Sequence, residues 1–255
     1  MIHLRTSWQQ VKILTHANMK ARYRKTIVGF FWVVLNPILM YSVQAVVFTK
    51  ILKLDLPDYY LFLLGGLLPW IFINSSWESC ITSIVTASPI LKSFQISPLV
   101  ILSSAILESF VNFIAAFIIL LIPTLIYSGT YSLNLLLLPF SLLLLILFTI
   151  VSTSLLATLH VFYRDVKYVT QFAMSILYFL TPIFYPESFI PENFRWIIHF
   201  NPLYILIEPF RACIYNGSTP EILLMQLKGL VLVSVLLLIF NKFWSKKKNA
   251  LFLKL

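Results

Sequence analysis

A chain of 255 residues with 60% hydrophobic and only 11% charged residues lies far from the roughly 25% charged residues of an ordinary soluble domain. No single soluble core could hide so much apolar surface, so lipid is the solvent for most of the chain. The formal charge of +10 would suit a nucleic-acid binder, but fourteen of the nineteen Lys and Arg sit at the termini or in two short loops assigned to the cytoplasmic side. That is the positive-inside pattern of a polytopic membrane protein, not a basic face that reads nucleic acid.

Residues 1–25 are predicted to form a cytoplasmic amphipathic interface helix. Leu4, Trp8, Val11 and Leu14 recur at helical spacing, and Arg5, Gln9, Lys12, His16 and Lys20 make the opposite stripe. Such a helix lies in the headgroup plane with its apolar face down, or packs on a partner domain. No continuous apolar stretch of the kind a cleavable signal peptide needs is found there. Lys20, Arg22, Arg24 and Lys25 then crowd into six residues before an apolar run that continues to Leu52. This step from dense cation to hydrocarbon fixes the orientation of everything downstream.

One membrane domain, residues 26–248, is predicted to hold six transmembrane helices. The first span, 27–52, is interrupted at Asn36-Pro37, where a backbone donor is missing. After the polar turn 53–58, the second span, 59–85, carries Gly65-Gly66 and Pro69 and is expected to bend in its outer third. The internal loop 86–98 reads as a short amphipathic helix, with Ile90, Leu91 and Phe94 on its apolar edge and Lys92 and Gln95 opposite. Spans at 99–127 and 133–160 follow, then the tight internal turn FYRDVK at 162–167 and a short fifth span, 168–185.

The external segment 186–220 carries Glu187, Glu192, Arg195, Glu208 and Arg211 between apolar clusters. It is too apolar for a solvated loop. Two short helices broken at Asn201-Pro202 are expected to re-enter the outer leaflet under protein cover. The sixth span, 222–243, stops at Lys246-Lys247-Lys248, which leaves residues 249–255 as a cytoplasmic tail and puts both termini inside. The fold class is therefore an all-α polytopic membrane protein without an evident internal repeat.

Chemistry of the usual catalytic kinds is sparse. None of the six glycines precedes a lysine, so the phosphate-cradling loop that would let this chain hydrolyse ATP is missing. Cys80 and Cys213 share no metal spacing and read as small hydrophobes, and the four histidines are scattered. No metal or cofactor is assigned to the chain.

Two acids fall within spans. Glu78 shares a helical face with Asn74, Ser75 and Thr82, and Glu108 shares one with Ser104 and Asn112. Each must face protein or water, either as the wall of a conduit or as interhelical hydrogen-bonding glue. Among 22 Phe, 12 Tyr and 6 Trp, those deep in spans stand apart from interface belts: Trp32, Tyr41, Trp70, Trp77 and Phe179. Aromatic planes beside Asn and Glu would let a sugar chain slide, with its C–H faces stacked and its hydroxyls hydrogen-bonded. Core packing would give the same pattern.

The stretch RYRKTIVGFFWVVLNP (residues 22–37), matching at Arg22, Tyr23, Thr26, Gly29, Trp32 and Pro37, resembles the opening of ABC transporter type 2 permeases that export O-antigen, capsule and teichoic acid. FLLGGLLPWIF (62–72), FYRDVKYV (162–169), TPIFYP (181–186) and FNPLYILIEPFR (200–211) are similar to that family in order and spacing. The resemblance covers nearly the whole chain and implies the following roles. The loop 86–98 is a coupling helix seated in a separate ATPase subunit, through Pro89, Ile90, Leu91, Lys92 and Phe94, with Arg164 and Asp165 as a second contact. Trp32, Tyr41, Trp70, Asn74, Trp77, Glu78, Phe179 and Tyr185 line a translocation path. Arg195, Asn201, Pro202, Glu208 and Arg211 belong to gate helices at the outer mouth. Two permease copies and two ATPases, which carry the ATP and Mg, move a lipid-linked glycan across a bacterial inner membrane. The substrate is O-antigen or capsule in preference to teichoic acid.

Two other function classes stay open on sequence alone. An ion-gradient transporter would need Glu108 as its midplane acid. A membrane-embedded glycosyl- or acyltransferase would need the cluster of His160, Arg164 and Asp165.

Overall fold

The computed structural model describes residues 2–24, 29–94, 96–129, 133–215 and 217–254. Every element among the described residues is helical. Helix α1 (Ile2–Tyr23) precedes a 3₁₀ turn (Gly29–Phe31) that leads into α2 (Trp32–Val46), which ends in a π turn (Val47–Ile51). Helix α3 (Tyr59–Ile81) is followed by the short α4 (Ser83–Thr86) and α5 (Ser88–Phe94). Helix α6 (Pro98–Ala116) continues through a second π turn into α7 (Ile122–Ser128). Helices α8 (Leu138–Phe162), α9 (Val166–Leu180), α10 (Arg195–His199), α11 (Pro202–Ile214) and α12 (Thr219–Lys254) complete the chain.

Four stretches are long and apolar enough to cross a bilayer: Tyr59–Thr86, Pro98–Ile126, Leu133–Phe162 and Thr219–Lys248. Leu35–Ile51 and Val166–Leu180 are apolar but shorter; 15 residues rise only about 22 Å, against a hydrocarbon core of about 30 Å. The predicted fifth span, 168–185, is thus cut short at Leu180. Thr181 is extended, with φ −89° and ψ 124°, because the ring of Pro182 disfavours helical geometry in the residue before it. The same steric rule starts two helices. Ser97 before Pro98 and Asn201 before Pro202 are extended N-caps, and their side chains accept from Leu99 N at 3.3 Å and Leu203 N at 2.9 Å.

Helix α3 is the hub. It packs on α6, α8 and α11, and an unbroken run from Leu61 to Trp70 is buried. Gly65 and Gly66 make this possible. A Cβ at Gly65 would lie 3.0 Å from Arg211 Cγ, and one at Gly66 would lie 3.1 Å from the Ile183 carbonyl oxygen. The two glycines let α11 and the 181–184 backbone lie directly on the span, and α3 runs through Pro69 as one helix.

Within the stretch 249–255, α12 runs to Lys254 and Leu251 is fully buried with Cys80, Ile84, Leu91, Ala157 and Val161. Helix α1 lies on α6, with Val11 and Thr15 buried. The Thr15 hydroxyl donates to Val11 O at 2.8 Å and Ser104 O at 3.2 Å. Trp8, on the same predicted stripe, stays half exposed; the side chains of Leu4 and Arg5 lie outside the described residues.

Candidate translocation groove, coupling face and outer gate

A groove of about 390 Å³ runs between α2, α3 and α9. Trp70, Asn74 and Glu78 line it because residues four apart share one face of α3. Phe179, Gln171 and Ser175 close it from α9. The wall is held by Tyr178, whose hydroxyl accepts from Gln44 Nε2 at 3.0 Å and whose ring sits 5.4 Å from Trp70 and 4.9 Å from Phe184. The result is a strip of aromatic planes beside an amide, a hydroxyl and an exposed carboxylate. Such a surface can hold a hydroxylated ring by many weak contacts and release it.

Four predicted path residues, Trp70, Asn74, Glu78 and Phe179, therefore meet in one groove. The others do not join them. The Trp77 indole is turned onto α8, where its Nε1 donates to Ser152 Oγ at 3.0 Å and its ring lies 6.4 Å from Phe148; it packs helices together. Tyr41 and Tyr185 pack against the main core, and the Tyr185 hydroxyl donates to Phe179 O at 2.7 Å, tying off the end of α9. Trp32 lines a different cavity, between α2, α3 and α6.

Pro89, Ile90 and Lys92 of α5 are exposed, as are Arg164 and Asp165 in the turn between α8 and α9. Leu91 is not. It is 1% exposed in the cluster with Cys80 and Leu251, so it anchors α5 to its own chain and is unavailable as a knob for a partner. Neighbouring residues on a helix point about 100° apart, so Ile90 and Leu91 cannot both face outward. Phe94 ends α5, and its side chain lies outside the described residues.

The outer segment is locked by buried polar contacts. Asn201 Nδ2 donates to Thr181 Oγ1 at 2.8 Å. Arg211 is 3% exposed; it donates to Pro182 O at 2.7 Å, pairs with Glu208 and lies 4.1 Å above the Phe62 ring. The Tyr204 hydroxyl donates to Glu187 Oε2 at 2.6 Å, and His199 Nε2 is 3.3 Å from Glu187 Oε1. Arg195 remains local, donating to Ile190 O at 3.3 Å. Helix α11 is mostly buried, whereas α10 buries only Ile198 among its residues.

The sequence reading missed one pair. Arg22, at the end of α1, lies 2.8 Å from Glu108 of α6, whose side chain is 5% exposed. A usable signal existed, since a carboxylate within a span requires a partner and Arg22 is a cation at the membrane face. His160 is buried while Arg164 and Asp165 are exposed, so these three form no catalytic cluster.

The sequence model of a family described as ABC-2 type transporter matches residues 9–215. The chain is 29% identical over 233 residues to O-antigen export system permease protein RfbA of Klebsiella pneumoniae, covering 90% of each chain. It is 28% identical to the protein of that name from Myxococcus xanthus over 227 residues, covering 88% of this chain and 86% of that one. It is 23% identical to polysialic acid transport protein KpsM of Escherichia coli over 215 residues, 83% of each.

Proposed function

The chain belongs to the ABC-2 type transporter family, and on that premise we propose that it is the membrane permease of an ATP-driven exporter of lipid-linked polysaccharide. It is a multi-pass membrane permease, not itself an enzyme. The observation that carries the substrate class is the alignment with O-antigen export permeases from two organisms along nearly the full length of each. We assign α5 as the helix that takes up ATPase motion, with Ile90 and Lys92 as its exposed contacts, Leu91 as its anchor, and Arg164 and Asp165 beside it.

The glycan passes along the α2–α3–α9 groove, over Trp70, Asn74, Glu78 and Phe179. The exposed aromatic face of α9, with Phe172 and Phe179, meets a second copy that supplies the opposite wall. Helices α10 and α11 gate the outer mouth. The short helices Leu35–Ile51 and Val166–Leu180 complete six crossings, α1 serves as the interface helix, both termini lie in the cytoplasm, and the host membrane is a bacterial inner membrane. ATP and Mg are bound by the ATPase pair. An ion-gradient mechanism is disfavoured because its required acid, Glu108, is already engaged by Arg22.

The test is export in cells and in vesicles. Ile90→Asp places a charge where an apolar contact is needed. It is expected to abolish surface glycan and copurification of the ATPase while the permease remains inserted. Persistence of both would remove the α5 assignment. Glycan movement by the purified permease without any nucleotide-hydrolysing subunit would overturn the proposal as a whole.

A further inference from the structure

Near the groove, between α2, α3 and α6, lies a cavity of about 300 Å³ lined by Arg22, Trp32, Asn36, Ser75, Ser109 and Asn112 among apolar neighbours. Besides Arg22, its polar groups are amides and hydroxyls, and Trp32, Phe72 and Phe113 supply aromatic rings. The Asn112 Oδ1 is buried and has no hydrogen-bond partner among the described residues. A buried acceptor left without a donor costs about 1–3 kcal/mol, so its presence points to a ligand that brings a hydroxyl or to bound water. The one charged group in the lining, Arg22, is neutralised by Glu108 at 2.8 Å. The cavity therefore favours a neutral, hydroxyl-rich group over a phosphate, which would have to displace that carboxylate.

We propose that this cavity is a sugar-binding subsite, sized for one pyranose ring, in which Asn112 accepts a ring hydroxyl and Trp32 offers a stacking face. Half-exposed Trp32 fits this role better than core packing. Arg22 ends α1 at the membrane face, so the ring held here belongs to the membrane-proximal end of the glycan. The inference rests on the polysaccharide-export reading and adds to it a site separate from the groove.

The test uses the purified permease–ATPase complex and two probes prepared from the producing cells: the lipid-linked glycan, and the same glycan after mild acid has released its lipid. Asn112→Leu keeps the branched shape of the side chain and removes the acceptor. It is expected to weaken binding of the lipid-linked probe about tenfold, the effect of losing one well-placed hydrogen bond. Asn112→Gln, which keeps the acceptor, should recover part of that loss, and the thermal midpoint of both variants should match the parent's. A second variant, Ser109→Ala, should weaken binding less. Loss of affinity for both probes identifies the ring itself as the ligand. Loss for the lipid-linked probe alone identifies its membrane-proximal end. Unchanged affinity for both probes in a folded Asn112→Leu complex overturns the subsite but leaves the export reading intact. If the parent complex moves no glycan with ATP, the export reading itself fails.

Discussion

Helices α3 and α12 are both long and apolar enough to cross a bilayer, and the structure treats them oppositely. In the apolar window of Tyr59–Thr86, 72% of residues are buried inside the protein, whereas in Thr219–Lys248 the figure is 22%. The more buried helix is the less apolar one. In water this would be paradoxical. In a bilayer, hydrocarbon solvates leucine as well as a protein core does, so apolar content does not sort the inside from the outside. Close approach and hydrogen bonding do. Helix α3 brings Gly65, Gly66, Ser76 and Cys80 to its contacts. Most of α12 presents leucine to lipid, with Gln226 and Gly229 where it touches α8 and α11. Gln226 Nε2 donates to Ser141 Oγ at 2.8 Å and Leu137 O at 3.0 Å.

Substitutions can break this contrast, and the largest effect is expected where α11 rests on α3. Arg211→Ala strips the partner from Glu208 and from the Pro182 carbonyl and empties the space over Phe62. A loss of about 3–5 kcal/mol is expected, since removing one member of a buried pair leaves the other uncompensated. Unfolding in mixed micelles measures it, and an effect below a third of that would mean the lock is dispensable. Next, Leu63→Ala on α3 should cost about 2–5 kcal/mol as a core cavity, while Leu238→Ala on the exposed flank of α12 should fall within about 0.5 kcal/mol. Equal costs would erase the distinction between the two helices. Gly66→Val sharpens it further. The new side chain meets the Ile183 carbonyl oxygen, a backbone atom with little room to give, and overpacking of this kind costs about 1–3 kcal/mol. The same change at Gly129, where nothing lies within 4 Å of a Cβ, meets no neighbour, although its φ of +64° strains any residue but glycine.

Helix α5 illustrates how far sequence reading reaches. Its existence followed from the spacing of Ile90, Leu91 and Phe94, and the structure has a helix there. Which of those residues faces outward depends on what lies behind the helix. That turns out to be Leu251 and Ala157, residues more than 60 positions away. The candidate path residues divide for the same reason. Trp70, Asn74, Trp77 and Glu78 all fall near one face of α3 by periodicity, yet Trp77 meets α8 instead of the groove.

The sequence by itself determined that the chain is all-helical and lipid-embedded, and where its loops begin, because backbone hydrogen bonding in hydrocarbon leaves few alternatives and cation runs and prolines act locally. Its family, too, is written in the order of short motifs along the chain. Only the tertiary structure decided which apolar faces meet protein, that Arg22 answers Glu108, that Leu91 turns inward, and that α9 ends at Leu180. Those outcomes depend on which distant helix supplies the neighbour, and in lipid no local hydrophobic pattern encodes that choice.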